Sequence, residues 1–410
     1  MLRLALETAL DVSENTEFSC LKPNHAHVSR ILLDVTRLVT RLYDGLLPTG
    51  VDRVGIAYIE RYRANACAVL SERGFSTVLS KNDSHRAFDM ILSGRRDRHA
   101  IRKLIARACI NRLAPENGGK GVLLHTSHNG MEFQRYYKAM QNRGLRSVFM
   151  VHDLIPLTHA EFCRPGVDAA HRKRIHTALA HADGLIANSQ DTLDALAAEA
   201  MQAGLPLPAS VVARLAPAVA TRTPHTAPIA QPYFVVLGTI EPRKNHWFLL
   251  QVWRRLVERH GAAAPKLVVI GRRGWECENA IDMLDRCSRL QNAVIELHGC
   301  SDEDLRTWMQ HSQALLFPSF VEGYGMPLVE ALALGAPVIA SDLGVFREIA
   351  DEIPDYLDPL DGPGWLATVE AYAAPASGAR AAQLGRIERF RVPSWVEHFE
   401  AVDNFLASLN

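Results

Sequence analysis

The sequence predicts an α/β protein made of two parallel sheets that are covered by helices. Short apolar runs such as "LRSVFMVHDLIP" and "YFVVLGTI" alternate with segments of helical spacing such as "HWFLLQVWRRLVERHG". Continuous apolar runs are typical of strands buried on both faces of a parallel sheet. One stretch, "ATRTPHTAPIAQPY", has three prolines and no apolar periodicity, and the alternation restarts after it. Two such runs around a linker predict two Rossmann-like domains that face each other across a cleft.

The same pattern sets the expected boundaries. The run "RILLDVTRL" (30–38) is expected as the first strand, and residues 50–66 as a helix. The last segment, "PSWVEHFEAVDNFLASLN", is amphipathic and is expected to close the fold. The predicted parts are a polar lead-in at 1–29, a first domain at 30–219, a linker at 220–232, a second domain at 233–388 and the closing helix at 389–410.

The composition excludes several classes of protein. The 410 residues include 45 Lys and Arg against 45 Asp and Glu, so the formal net charge is zero. We therefore expect no nucleic-acid partner, although a local basic patch stays open. Seven cysteines without a C-x-x-C pair predict free thiols in a reduced compartment and no zinc site. No apolar run approaches ~18 residues, and the start is a poor signal peptide, which favours a cytoplasmic protein.

The loop "LGTIEPRKNH" places two cations between a predicted strand and a predicted helix. Ligands of open parallel sheets bind where strands end and helices begin. Arg243 and Lys244 are expected at a helix N-terminus, where backbone N–H groups already favour an anion. Arginine can also grip a phosphate with two hydrogen bonds. The alternative is a solvated basic turn, and the residue pair alone does not decide between the two.

A second loop, "VEGYGM", carries two glutamates around glycines. Glu330 is expected in the first turn of the following helix, with Glu322 on the other side of the loop. Gly323 and Gly325 are expected to leave room for a ligand at the backbone. Two carboxylates facing one volume suit the vicinal hydroxyls of a ribose or hexose. In the alternative, Glu330 serves only the helix dipole and Glu322 is exposed to solvent.

Two further loops remain ambiguous from their residues. "VIGRRGWE", with Arg272 and Trp275, suits a nucleotide base or pyrophosphate, or else a surface turn. "SDEDL" is similar to the acidic pairs that hold divalent metals, but its spacing favours a helix cap with Ser301 as the N-cap residue and Asp304 three residues on. No glycine loop matches a dinucleotide or P-loop motif.

With its surroundings, "FPSFVEGYGMPLVEALALGAPVIASD", the E-x7-E spacing of Glu322 and Glu330 resembles the retaining glycosyltransferases of family 4. "LGTIEPRKNH", "VIGRRGW" and "SDEDL" stand in the order and spacing of that family. The likeness is dense over 233–349 and thinner before, where it rests on "LLDVTRL", "TGVDRV", "VHDLIP" and "IANSQDT". The resemblance implies the GT-B fold, with the active site in a cleft between two Rossmann-like domains.

The resemblance also implies a role for particular residues. Glu330 would bind the ribose hydroxyls of a nucleotide-sugar donor, Glu322 would contact the transferred sugar, and Lys244 would neutralise the donor pyrophosphate. His152 matches a histidine close to the donor sugar, so the implied catalytic residues are His152, Glu322 and Lys244. The residues implied to surround the donor are Gly50, Gly238, Thr239, Arg243, Lys244, Arg272, Gly323, Tyr324, Gly325, Met326, Pro327 and Glu330.

Two positions depart from the family pattern. Many members carry an arginine where this chain has Thr239, and Arg243 is the other candidate for that role. Members often have two glycines near the donor where this chain has only Gly50.

The implied activity is transfer of a hexose or deoxyhexose from a GDP- or UDP-sugar, GDP-mannose among them, to a saccharide or lipid-linked saccharide acceptor. The setting would be bacterial surface-polysaccharide or lipopolysaccharide synthesis, with retention at the transferred carbon. Because Arg243, Lys244 and helix N-termini can stabilise the leaving diphosphate, we expect no metal and no cofactor. The alternatives are a non-catalytic GT-B subunit of a polysaccharide assembly complex, and a GT-B epimerase or phosphorylase.

A basic segment at 94–113 stands out in this neutral chain. It has seven basic residues and one aspartate, with Ile101, Leu104, Ile105 and Cys109 at helical spacing. Such a helix can lie on an anionic membrane, which would hold the protein peripherally at the inner membrane face near a lipid-linked acceptor. The alternative is a domain helix whose apolar stripe packs on the core.

Overall fold

The computed structural model describes residues 30–111, 120–218, 221–222 and 225–409, so the predicted lead-in at 1–29 lies outside it. The described chain forms two α/β domains, each built on its own sheet. This confirms the predicted fold class.

The first sheet has seven strands in the order β3-β2-β1-β4-β5-β6-β7, and β3 alone is antiparallel to its neighbour. Helices join the parallel strands on both faces. The strands are β1 (Arg30–Asp34), β2 (Ala66–Glu72), β3 (Phe75–Val78), β4 (Gly121–His125), β5 (Leu145–Val151), β6 (Gly184–Ala187) and β7 (Ser210–Val212). The helices are α1 (Thr36–Asp44), α2 (Gly50–Tyr62), α3 (Lys81–Ser93), α4 (Arg98–Asn111), α5 (Gln134–Gln141), α6 (Ile155–Thr158), α7 (Val167–His181) and α8 (Gln190–Ala203).

The second sheet has six strands in the order β10-β9-β8-β11-β12-β13, all parallel. Its strands are β8 (Tyr233–Leu237), β9 (Lys266–Ile270), β10 (Val294–Leu297), β11 (Leu315–Phe317), β12 (Val338–Ser341) and β13 (Asp355–Leu357). The helices are α9 (His246–His260), α10 (Glu278–Arg286), α11 (Asp302–Gln310), α12 (Met326–Ala333), α13 (Gly344–Ala350), α14 (Gly362–Ala373), α15 (Gly378–Ile387) and α16 (Trp395–Ser408).

The second sheet has two differently covered faces. Successive strand residues point to opposite faces, so Phe234 belongs to the apolar cluster of α9, α10 and α14, which we call the α9 face. Its neighbour Val235 belongs to the cluster that holds residues of α11, α12 and α13, the α12 face. The cluster on the α12 face continues into the first domain. The loops at the carboxyl ends of these strands therefore lie at the edge of the sheet that faces the first domain.

Several predicted boundaries in the first domain were wrong. The run 30–38 is a strand only to Asp34, because the Asp34 carboxylate accepts a hydrogen bond from the Thr36 backbone N–H (3.0 Å) and the chain turns into α1. The helix predicted to reach Ala66 ends at Tyr62, and β2 begins at Ala66. The antiparallel β3 also means that this sheet is mixed.

The last helix, α16, returns to the first domain. Its Asp403 accepts hydrogen bonds from Arg61 and, at 2.7 Å, from the Tyr62 hydroxyl, both on α2. Its His398 lies beside the Tyr58 ring. Helix α16 therefore joins the two domains, and the linker predicted at 220–232 is described only in part.

The basic segment forms α4, and part of its apolar stripe packs on the core. Ile101 and Leu104 are buried, whereas Ile105 is exposed. Two of its arginines, Arg98 and Arg102, lie over the ring of Tyr43. Residues 112–113 of the segment lie outside the described chain. Within the described chain, no helix is both long and apolar enough to cross a bilayer.

Candidate active site

The centre of the candidate site is Glu322, in the loop that follows β11. It is buried, with 8% of its surface exposed. Its Oε1 accepts hydrogen bonds from Lys244 Nζ (2.5 Å) and Ser319 Oγ (2.7 Å), and its Oε2 accepts one from Arg243 Nη1 (2.7 Å). The structure therefore contradicts the alternative in which Glu322 is exposed to solvent.

The two cations decide the charge of this carboxyl. Burial by itself would raise the pKa of Glu322, but Arg243 and Lys244 outweigh burial and lower it to about 2. Glu322 is therefore a carboxylate at any physiological pH, and it is not an acid that could donate a proton.

Arg243 and Lys244 lie in a short 3-10 turn, Pro242–Lys244, directly before α9. Asn245 then adopts a left-handed conformation (φ 57°) and braces the turn by donating its side-chain amide to the carbonyls of Pro318 and Pro359. Lys244 is buried and its Nζ lies 4.8 Å from the centre of the Phe317 ring. The solvated basic turn considered from the sequence is therefore not formed.

A fourth charged residue, Glu241, completes the cluster and was missed from the sequence. Its Oε1 lies 2.7 Å from Arg243 Nε. Burial raises the pKa of Glu241, and Arg243 and Lys244 oppose that shift. With both carboxyls ionised, the two cations are balanced by two carboxylates, so the cluster is close to neutral rather than strongly positive. The "EPRK" segment itself held the signal, because the acid stands two residues before the arginine.

Glu330 belongs to a different group of charges. It is the fifth residue of α12, so the prediction of a first-turn position was wrong. Gly325 (φ 101°) is the N-cap residue and Met326 the first helical residue, which places Pro327 second. Burial raises the pKa of Glu330 to about 7, against the opposing effects of Arg53 and a backbone hydrogen bond from Ala218.

Arg53, on α2, reaches across the domain boundary beside Glu330. Its guanidinium donates two hydrogen bonds to the carboxylate of Asp302, at 2.6 and 3.0 Å. Asp302 begins α11 in the second domain, where Ser301 caps the helix by accepting from the Asp304 N–H (3.1 Å). The capping interpretation of "SDEDL" is thus confirmed. Arg53 itself was missed, although it stands in the quoted "TGVDRV".

The glycines of the loop have protein on the side that a Cβ would occupy. A Cβ on Gly323 would lie 2.6 Å from the His152 carbonyl oxygen, and one on Gly325 would lie 2.7 Å from the Phe346 ring. The missing Cβ atoms thus allow close packing on the His152 carbonyl and the Phe346 ring, and contact of a ligand with the backbone of Gly323 and Gly325 stays a prediction. The neighbouring Tyr324 side chain is buried, and its hydroxyl donates to the Leu215 carbonyl (2.8 Å).

The first domain meets this loop through the end of β5. His152 is buried and donates its Nε2 proton to the Thr126 carbonyl (2.8 Å), which leaves Nδ1 as the acceptor nitrogen. Burial lowers the pKa of His152, so the ring is neutral near pH 7. Thr192 of α8 donates its hydroxyl to the Gly323 carbonyl (3.2 Å). His152 and Glu322 therefore lie on opposite sides of one interdomain contact.

The other positions predicted to surround the donor are not part of the charged cluster around Glu322. Gly50 begins α2, and a Cβ there would have nothing within 4 Å. Gly238 (φ 139°) directly follows β8, and a Cβ there would lie 3.4 Å from Lys244 Cε. Thr239 and Arg272 line a cavity of about 520 Å³, and Trp275 lies beside them. This cavity does not include Glu322, Glu330 or His152.

Known proteins resemble this chain in fold and, over part of its length, in sequence. Two facing Rossmann-like domains form the GT-B fold. The Anabaena protein HepE, solved in complex with UDP-glucose, has a TM-score of 0.64 and 17% identity, over 93% of this chain and 100% of that one. Residues 218–353 match the family described as Glycosyl transferases group 1, so this part of the chain is a glycosyl transferases group 1 domain.

Two sequence relatives are mannosyltransferases. The serotype-specific mannosyltransferase WbdA of Escherichia coli is 31% identical over 275 residues, which cover 62% of this chain and 34% of that protein. The O-antigen chain mannosyltransferase RfbU of Salmonella typhimurium is 30% identical over 141 residues, or 34% of this chain and 37% of that protein. The chain thus spans about a third of the length of these relatives.

Proposed function

We propose that this protein is a retaining glycosyltransferase. It moves a hexose or deoxyhexose from a nucleoside-diphosphate sugar to a saccharide acceptor in the synthesis of a bacterial surface polysaccharide. The observation that carries the proposal is the buried cluster of Glu322, Lys244 and Arg243 beside the contact between the two domains of a GT-B fold. Burying such an ion cluster costs desolvation energy. Because the fold does not need this cluster for its stability, the cluster indicates a functional site.

The cluster can serve the departure of the nucleoside diphosphate. As the glycosidic bond breaks, negative charge grows on the leaving oxygen, and preorganised cations stabilise it in a site that excludes water. Lys244 and Arg243 are already held in place by Glu322 and Glu241, so they need little reorganisation when that charge appears. We propose that these cations supply the charge for which other transferases use a divalent metal.

We propose retention by attack of the acceptor on the face that the diphosphate leaves, and the contacts of Glu322 disfavour the covalent alternative. A covalent double displacement, as in retaining hydrolases, needs a carboxylate free to attack the sugar, with a second about 5 Å away. Both oxygens of Glu322 are engaged by cations and Ser319, so it is a weak nucleophile. In this proposal the resembled family's retaining outcome is reached without a covalent intermediate, and Glu322 and His152 Nδ1 receive hydrogen bonds from sugar hydroxyls.

Glu330 is proposed to bind the ribose. Its carboxylate accepts two hydrogen bonds in the geometry that vicinal hydroxyls offer. The mannosyltransferase relatives support a mannose donor, which we propose to be GDP-mannose, and the HepE complex makes UDP-sugars the second choice.

Release of nucleoside diphosphate tests the proposal. The purified chain is incubated with a panel of GDP- and UDP-sugars and with saccharide acceptors, and released GDP or UDP is measured. Acceptor-dependent release from one donor is expected, and NMR of the product is expected to show retained anomeric configuration. A chain that binds donors but releases nothing under any condition would instead be a non-catalytic subunit.

We also propose that this protein is cytoplasmic and contacts an anionic membrane peripherally. The support is the surface around α4 and the end of α1, where Arg95, Arg96 and Lys103 accompany the exposed leucines Leu46 and Leu47. Arg96 donates to the Asp44 carbonyl (3.1 Å) and so joins the two segments. Basic side chains attract anionic lipid, and exposed leucines can enter the interface.

A further inference from the structure

Two further histidines lie beside His152 and have no part in the chemistry proposed above. His128 lies in the loop after β4, and His171 lies on α7 and is buried. The centre of the His128 ring is 5.4 Å from that of His152 and 4.9 Å from that of His171. Sequence reasoning missed both residues. The three rings form one group beside the carboxyl ends of β4 and β5, where the first domain meets the loop that carries Glu322.

The two added rings hold the two ends of the His152–Asp153 backbone. The His152 N–H donates a hydrogen bond to His128 Nε2 (3.1 Å). Because His128 Nε2 accepts this bond, it carries no proton, and the ring is neutral with its proton on Nδ1. His171 Nε2 donates to the Asp153 carbonyl (3.2 Å). A backbone N–H can only donate and a carbonyl can only accept, so each contact fixes which nitrogen of its ring is protonated.

Other hydrogen bonds already fix the orientation of His152. Its carbonyl accepts from Asn188 Nδ2 (2.9 Å), and its own Nε2 donates to the Thr126 carbonyl (2.8 Å). The ring cannot turn without breaking the bond to Thr126, so the place of Nδ1 follows the place of the His152 backbone. His128 holds that backbone by its N–H. The contact with His128 therefore helps to set where His152 Nδ1 lies in the site.

The surroundings of His128 keep its ring in the form that this contact needs. Burial lowers the pKa of His128 well below its usual range, and the cationic groups that face it, on His171, His152, Arg174 and His125, lower it further. A proton on His128 Nε2 would place two donors against each other and would break the bond to the His152 N–H. The neutral ring thus remains an acceptor near pH 7.

We propose that His128 is a positioning residue of the sugar transfer. Its Nε2 holds the His152 backbone so that His152 Nδ1 lies where a hydroxyl of the donor sugar can reach it, and His171 secures the carbonyl of the next residue. This inference rests on the proposed function, because the contact of His152 with the sugar belongs to that proposal. A misplacement of about 1 Å in such a site can cost on the order of 100-fold in rate.

Three replacements of His128 separate its hydrogen-bond acceptor from its shape. Glutamine can place an amide oxygen near the position of Nε2, asparagine reaches only near that of Nδ1, and phenylalanine keeps a ring without an acceptor. His128→Asn and His128→Phe are expected to lower kcat with the verified donor about 10- to 100-fold. His128→Gln is expected to stay within about threefold of the parent, as is typical where the essential contact is kept. The KM for the donor should change less than kcat, since Glu330, Lys244 and Arg243 hold the donor from the second domain.

A matched control and a measurement of folding accompany these variants. His85→Phe is the control, because His85 is an exposed histidine of α3. Urea denaturation gives the folded fraction of each variant, so that kcat is compared per folded molecule. A residue needed only for folding would lower the folded fraction and leave this corrected kcat unchanged.

Crystal structures of the parent, His128→Gln and His128→Asn give a readout without turnover. The hydrogen bond to the His152 N–H should be present in the first two and absent in the third. In His128→Asn, His152 Nδ1 should move by more than about 0.5 Å, the precision that such sites need.

Three results would overturn the proposal. One is parental kcat in both His128→Asn and His128→Phe, and another is an unmoved His152 in the His128→Asn structure. The third is an equal loss of kcat in His128→Gln and His128→Asn, because the acceptor at Nε2 would then not decide the rate. Failure of the proposed function is a separate result, since the parent would then release no nucleotide from any donor, while the structures still decide whether His128 positions His152.

Discussion

Replacement of Lys244 by methionine tests the centre of the proposed site. The side chain keeps its length but loses the ammonium group, whose Nζ lies 2.5 Å from Glu322 Oε1. If this cation stabilises the leaving diphosphate, the loss should be about 2–4 kcal/mol of transition-state stabilisation, by analogy with other preorganised donors. This corresponds to a fall of about 30- to 1,000-fold in kcat/KM.

The same change also removes a partner of a buried carboxylate. An uncompensated buried charge costs about 3–5 kcal/mol of folding free energy, and the cost here should be smaller because Arg243 and Ser319 still bind Glu322. The double variant Lys244→Met with Glu322→Gln removes the unbalanced charge. It should recover stability in urea denaturation, which measures how much of the folding cost comes from the unbalanced charge, whereas kcat/KM should stay low because Glu322 is itself proposed to contact the sugar.

The assay is initial-rate release of nucleoside diphosphate from the verified donor. Lys266→Met is the control, because Lys266 begins β9 and its ammonium group donates to the Asn292 carbonyl. Parental kcat/KM in Lys244→Met, with normal folding, would refute the role of this cation. Recovery of activity in the double variant would show instead that the single variant had failed through instability.

Three further outcomes follow from the structure. Burial raises the pKa of Glu330 to about 7, so the fraction of Glu330 that is ionised grows as the pH rises from 6 to 8. The KM for the donor should therefore fall over that range. The variant Glu330→Gln should raise this KM and remove its dependence on pH. Turnover should survive EDTA, and complete loss restored by Mg²⁺ or Mn²⁺ would contradict charge stabilisation by Lys244 and Arg243 alone. The fraction of protein that sediments with liposomes should rise with anionic lipid, fall with salt, and drop when Leu47 and Lys103 are both changed to Glu. Equal fractions with neutral and anionic vesicles would contradict the membrane contact.

Local sequence pattern was sufficient wherever neighbouring residues determine the structure. The alternation of apolar runs and helical spacing predicted the α/β class, and Ser301 with Asp304 predicted a helix cap that the structure contains. The exceptions were boundaries. The first strand was predicted too long because the continuous apolar run hides the turn that Asp34 makes with the Thr36 N–H. Glu330 was placed one residue too early, and so in the first turn, because Pro327 was taken as the first helical residue.

The sequence by itself determined the two α/β domains and the loops in which Lys244, Glu322 and Glu330 stand, because strand ends and helix starts depend on short-range pattern. Only the tertiary structure decided which charges meet. Glu322 balances the charge of Lys244 because β8 and β11 are neighbours in one sheet, so the loops that follow them lie side by side. The glycine at 323 serves the close approach of the His152 carbonyl. Such contacts join residues distant in the chain, and their energy depends on burial and distance, which no local spacing encodes.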